Sequence, residues 1–78
     1  MNNESFETKD LQIASLLYAV GTPFVRVHRD RGVCWFIFEN KADCDRLQRQ
    51  YYARSAPIDA LTFADAMRTL KDMIFSTK

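Results

Sequence analysis

The stretch Phe24-Val25-Arg26-Val27-His28-Arg29-Asp30-Arg31-Gly32-Val33-Cys34-Trp35-Phe36-Ile37-Phe38 decides the fold. Its first part alternates, with Val25 and Val27 on one side and Arg26 and His28 on the other. Its second part, Val33 to Phe38, is apolar on both sides and rich in aromatic and β-branched residues. Both are strand patterns. Between them Arg29-Asp30-Arg31-Gly32 suits a type I turn closed by a left-handed glycine, which predicts a hairpin with a bulge. In that register Val25 and Val27 share a face with Val33, Trp35 and Ile37. The other face then carries Phe24, Arg26, His28, Cys34, Phe36 and Phe38. A tighter two-residue turn would swap the second strand's faces and set Trp35 beside Arg26; the first register is the preferred one.

Outward from the hairpin the period changes from two to 3.6. Ile13, Leu16, Leu17 and Val20 fall at i, i+3, i+4 and i+7, the stripe of an amphipathic helix. Thr8 is the expected N-cap, with Asp10 in the first turn and Phe6 as a staple. Gly21 fits a left-handed C-terminal stop, and Pro23 forbids resumption. After the hairpin Asn40 is the expected cap of a second helix, with Asp43 reaching back. Cys44, Leu47 and Tyr51 line its inner face, while Arg46, Gln48, Arg49 and Gln50 lie largely outside. Ser55, Pro57 and Asp59 break it. Asp59 or Thr62 then caps a last helix whose stripe is Phe63, Ala64, Met67, Leu70, Lys71, Ile74 and Phe75, with Lys71 snorkelling at the edge. The prediction is a two-layer α+β domain, helix–β-hairpin–helix–helix, over residues 8–76, with residues 1–7 a flexible lead-in.

Two strands make a poor sheet in water. A strand that is apolar on both faces also needs cover on both. Three solutions are open: helices on both faces, a further short strand at the edge, or another molecule. The last of these makes a homodimer or a protein partner the expected company of this chain.

Composition bounds the function. At 78 residues the chain is one domain with a small core. Its 11 basic and 10 acidic residues nearly cancel, so no global field marks a nucleic-acid or membrane binder. The charge is uneven, with acids ahead before Arg26 and bases ahead from Arg26 to Arg54. Two cysteines allow at most one disulfide, and Met1 to Ser5 is polar, unlike a signal peptide. No apolar run approaches the ~20 residues of a membrane span. The expected setting is the cytoplasm, with free thiols.

No catalytic motif emerges. His28 is the only histidine, and a lone strand histidine is ordinarily a surface or packing residue. Cys34 lies between Val33 and Trp35, where burial makes a thiol inert, and Cys44 follows the unfavourable charge of Asp43. His28, Cys34 and Cys44 have no zinc spacing. Gly21 and Gly32 are explained by turns, so no phosphate loop exists. Asp43 and Asp45 point apart on a helix, and Asp65 with Asp72 reads as a solvated face. The expectation is no enzyme, no metal and no cofactor.

One constellation has functional character. Arg26, His28, Arg29 and Arg31 cluster near the hairpin tip among aromatic side chains, the pairing that grips single strands and RNA loops. A β-ribbon also enters the DNA major groove. Arg46, Arg49 and Arg54 would extend the patch if the second helix lay beside the tip. Asp30 in the turn and the near-neutral total weigh against it.

From Phe6 onward the chain resembles a small family of uncharacterised bacterial and phage-borne domains. The matching features are Phe6-Glu7-Thr8-Lys9-Asp10-Leu11 opening a helix, the Gly21 stop, and Phe36-Ile37-Phe38-Glu39 ending the hairpin. Tyr51-Tyr52, Phe63, Ala66 and Leu70-Lys71-Asp72 continue it. These are core and cap positions, so the resemblance implies a fold and a setting in bacteria and mobile elements, with no reaction to carry across. The leading expectation is a small non-enzymatic interaction protein, self-associating, of the inhibitor or accessory class, with its contacts through aromatics and arginines. The second is a nucleic-acid-binding accessory or regulatory protein that uses the hairpin.

Overall fold

The computed structural model describes residues 4–76. The chain runs β1 (Phe6–Thr8), α1 (Leu11–Val20), β2 (Phe24–Asp30), β3 (Val33–Phe38), α2 (Lys41–Tyr52) and α3 (Ala60–Ser76). The expected order of helix, hairpin and two helices is present, preceded by a three-residue strand. The sheet is antiparallel in the order β1-β3-β2, so the two-sided apolar strand is the central one. Of the three solutions for covering it, the short edge strand is realised. Phe6 and Glu7, expected in the lead-in, therefore belong to the fold; residues 1–3 of that expected lead-in lie outside the described residues.

All three helices pack on one face of the sheet. The core joins Phe6, Phe36 and Phe38 of the strands to Leu16, Cys44 and Leu70 of the helices, with Phe24 and Val27 packed against it. Phe24 meets Phe38 edge-on at 5.3 Å between ring centroids, and Tyr18 meets Phe24 at 5.8 Å. The molecule's shortest dimension is 18 Å, that of one helix layer on one sheet.

The caps differ from the sequence expectation in instructive ways. Thr8 ends β1, and its Oγ1 accepts from the Asp10 N–H at 3.1 Å. Asp10 is the N-cap of α1, its Oδ1 accepting from the N–H groups of Gln12 at 2.9 Å and Ile13 at 3.3 Å. Gly21 takes the left-handed stop at φ 101°, with Gly21 N–H to Tyr18 O and Thr22 N–H to Leu17 O completing a Schellman motif. Asn40 stands at the N-cap of α2 but is itself left-handed and makes no side-chain cap. Asp43 turns instead to Arg46. Asp59 caps α3 by accepting from the Thr62 N–H at 3.0 Å. On the helix stripes, Val20, Ala64, Lys71 and Phe75 are exposed, and Ala66 takes an inner place.

The hairpin register is the one the sequence reading set second. Asp30 pairs with Val33, leaving a two-residue loop, and both loop residues have positive φ, Arg31 at 53° and Gly32 at 82°. This is a type I′ turn, whose twist matches that of the strands it joins. Trp35 consequently pairs with His28 and shares its face with Arg26, while Phe36 pairs with Val27. A bulge between Phe24 and Arg26 absorbs Val25 and lets Phe24 keep its place opposite Phe38.

Candidate functional site

Partners directly opposite in a sheet share a face, so the register sorts every strand residue. Glu7 of β1, Val33, Trp35 and Ile37 of β3, and Arg26, His28 and Asp30 of β2 point away from the helices. None of them belongs to the helix-facing core cluster. Trp35 is half-buried at the centre of this open face, with His28 directly across the ladder. Ile37 lies between Glu7 and Arg26 and is only 5% exposed. The Lys9 ammonium sits 6.0 Å from the centroid of the Trp35 ring, at cation–π distance.

Lys9 is there for a local reason. It separates Thr8, which closes β1 and holds the Asp10 amide, from Asp10, which caps α1. The two flanking side chains are committed to the turn, and Lys9 is exposed on the other side. Neither Lys9 nor Trp35 stood among the candidate site residues read from the sequence. Trp35 was assigned to the wrong face with the hairpin register, and Lys9 sits beside it through a strand too short for a periodic signal.

The expected basic patch separates into four places. Arg26 and His28 lie on the open face and Arg31 at the hairpin tip, all exposed and without an ion-pair partner among the described residues. Arg29 pairs with Cys34 across the ladder, toward the helices, and its guanidinium donates to the Ile74 carbonyl of α3 at 3.3 Å. Arg46 and Arg49 are on α2, which begins where β3 ends, at the far end of the sheet from the turn. Arg46 lines a shallow recess with Pro23 and Asn40 and pairs with Asp43 at 3.5 Å. Seven strand residues put that end ~20 Å from the tip, so the second helix does not extend the tip's patch.

A second concavity, about 640 Å³, opens where the end of α2 and the 53–59 connection meet α1 and α3. Leu16, Tyr51, Tyr52, Ile58 and Phe63 give it an apolar lining, with Arg54 at φ 61° beside them. The Tyr51 hydroxyl donates to Gln12 Oε1 at 2.7 Å. Among the described residues no group of three His, Cys, Asp or Glu side chains is placed to hold a metal ion. Cys44 is fully buried; burial first, then Asp45 and Asp43, pushes its thiol up to about 11. Among the described residues no helix is long and apolar enough to cross a membrane.

No curated protein and no solved structure matches this chain. A family model does, across nearly its whole length and including every element of the sheet. By that match over residues 3–76, the chain belongs to the family described as Domain of unknown function (DUF5659).

Proposed function

We propose that this chain is a non-enzymatic binding domain that holds another macromolecule against its open sheet face. One observation carries the reading: the central strand turns Trp35 to a face that no helix covers, inside a ring of Lys9, Arg26 and His28. Tryptophan and arginine are the side chains that most often dominate binding energy. A face that needs no catalytic group suits a small inhibitor or accessory factor. The family resemblance favours a bacterium or a mobile element as its setting, and two free cysteines suit the cytoplasm.

Self-association has less support than the sequence suggested. Two strands ~20 Å long and the three-residue β1, about 4.8 Å apart, present on the order of 250 Å², well below the ~800 Å² per partner of a stable interface. The β2 edge carries Arg26, His28 and Arg29, and antiparallel pairing with a second copy would set like charges near one another.

Site-specific photo-crosslinking tests the face whatever its partner. A benzophenone side chain placed at Val33, on the open face, is compared in expressing cells with one at Arg68, on the outer side of α3. Adducts of defined mass from position 33 alone are the expected result. No adduct there, or the same adducts from both positions, rules the face out.

A further inference from the structure

The geometry points to single-stranded nucleic acid as the partner of this face, an inference that rests on the binding-face reading above. A protein-binding tryptophan is usually ringed by other apolar side chains, with charges kept to a rim. Here the order is reversed. Across the ladder from Trp35 stands His28, above its ring lies Lys9, and one pair further along stands Arg26. Its paired apolar companions on this face are Ile37, 5% exposed, and Val33 near the tip, while Val25, 46% exposed, stands in the bulge without a ladder partner. An aromatic ring with Lys9 over it, Arg26 one pair along and an imidazole opposite complements a ligand that combines flat π-faces with a line of negative charge. Nucleotides in a single strand have that composition.

The Lys9 contact sharpens the point. The ammonium at 6.0 Å marks a ring face open enough to receive a planar group. A base stacking on Trp35 takes that place, and Lys9, at the end of a flexible stem, moves to the phosphate beside it. Arg26 and Arg31 supply two further phosphate contacts along β2 toward the turn. Arg31 is held outward in a left-handed conformation that a residue other than glycine rarely adopts. Acids are also present, with Glu7 beside Ile37 and Asp30 before the turn, so the net attraction is modest. The area suits a few nucleotides. A duplex is disfavoured because paired bases present edges rather than faces, and stacking requires an unstacked base.

The chain's single tryptophan makes the test direct. Its fluorescence is followed during titration with a twelve-nucleotide oligothymidylate, the matching oligouridylate and a duplex of equal length, at about 50 and 200 mM salt. Saturable quenching by one or both single strands, and not by the duplex, is the expected result; the tighter of the two names the natural class. With three phosphate contacts, from Lys9, Arg26 and Arg31, affinity should fall roughly twentyfold between the two salt concentrations. Arg26→Ala should reduce that to roughly sevenfold. Binding of a labelled strand, read by anisotropy, should survive Trp35→Phe and weaken at least about fivefold in Trp35→Ala. Circular dichroism confirms folding, and exposed Arg26→Ala serves if Trp35→Ala fails to fold. Absence of quenching, equal quenching by duplex, or a salt dependence indifferent to Arg26 overturns the inference. If quenching is absent while position 33 crosslinks to a protein, the binding face stands and nucleic acid is not its partner; if both fail, both fall.

Discussion

The Arg29 guanidinium donates to the Ile74 carbonyl at 3.3 Å, tying the hairpin to the last turn of a helix 45 residues away. The last carbonyls of a helix lack partners within it and carry the negative end of its dipole. A cation there satisfies one of them and complements the charge. Arg29 is thus a structural arginine, turned toward the helices between Arg26 and His28 on the open face and Arg31 at the tip. Arg29→Ala should lower stability by roughly 0.3–1 kcal/mol, read as a lower urea midpoint with unchanged slope. Arg26→Ala should leave that midpoint within about 0.5 kcal/mol. The reverse ranking would mean that the two arginines have been assigned to the wrong faces.

The turn gives a test of the register itself. A type I′ loop wants Asn or Gly where Arg31 sits at φ 53°. Arg31→Asn should therefore stabilise the fold by a few tenths to about 1 kcal/mol while removing a phosphate contact, so melting temperature rises as single-strand affinity falls. Gly32→Ala should cost about 1–2 kcal/mol. A Cβ at Gly32 meets nothing within 4 Å, so that cost is conformational and not steric. In the three-residue register position 31 would not be left-handed, and Arg31→Asn would gain nothing.

These two arginines also show what could be read in the chain beforehand. The helices were legible because each carries its stripe over two turns or more and Gly21 punctuates the first. The strands were legible as strands. Their facing was not, since Val33 to Phe38 is apolar at every position and alternation gives no sign of which side is inner. The turn residues then decided the register, and Arg31 in a left-handed position conceals the type I′ signal that Asn would have given. β1 was hidden by its length: Phe6-Glu7-Thr8 makes one alternation, indistinguishable from a helix staple followed by a cap. With Trp35 placed on the wrong face and Lys9 unplaced, the site was read as a basic tip. The candidate that the geometry offers is an open sheet face of which the tip is one corner.

Leu70 is fully buried where α3 packs against α1 and the sheet. A domain of this size is held by roughly 4–12 kcal/mol. Leu70→Ala removes about 2–5 kcal/mol through lost burial and the cavity left behind. It should unfold a measurable fraction at 37 °C, seen as lost ellipticity. Leu61→Ala on the same helix, at a side chain 72% exposed, should change stability by less than about 0.5 kcal/mol. Equal effects would mean that α3 is not docked as described.

Cys44 links the fold to pH. Its thiol donates to the Glu39 carbonyl at 3.4 Å, and burial, with Asp45 and Asp43 beside it, moves its pKa from 9.0 to about 11. The unfolded chain gives up this proton near pH 9.0 and the folded chain only near 11, so rising pH favours the unfolded state first. The contribution is intact below pH 9 and declines between 9 and 11, the loss by then amounting to something on the order of 2–3 kcal/mol. Urea midpoints at pH 8 and 10.5 should therefore fall further in the parent chain than in Cys44→Ala, although the variant starts lower because a buried side chain has been trimmed. A thiol reagent at pH 8 should modify Cys44 in a Cys34→Ser background more slowly than in the urea-unfolded chain by about the unfolded fraction, several orders of magnitude. Reaction at close to the rate of the unfolded chain would mean that the interior beneath the Glu39 corner is open to solvent, and the pH dependence would vanish with it.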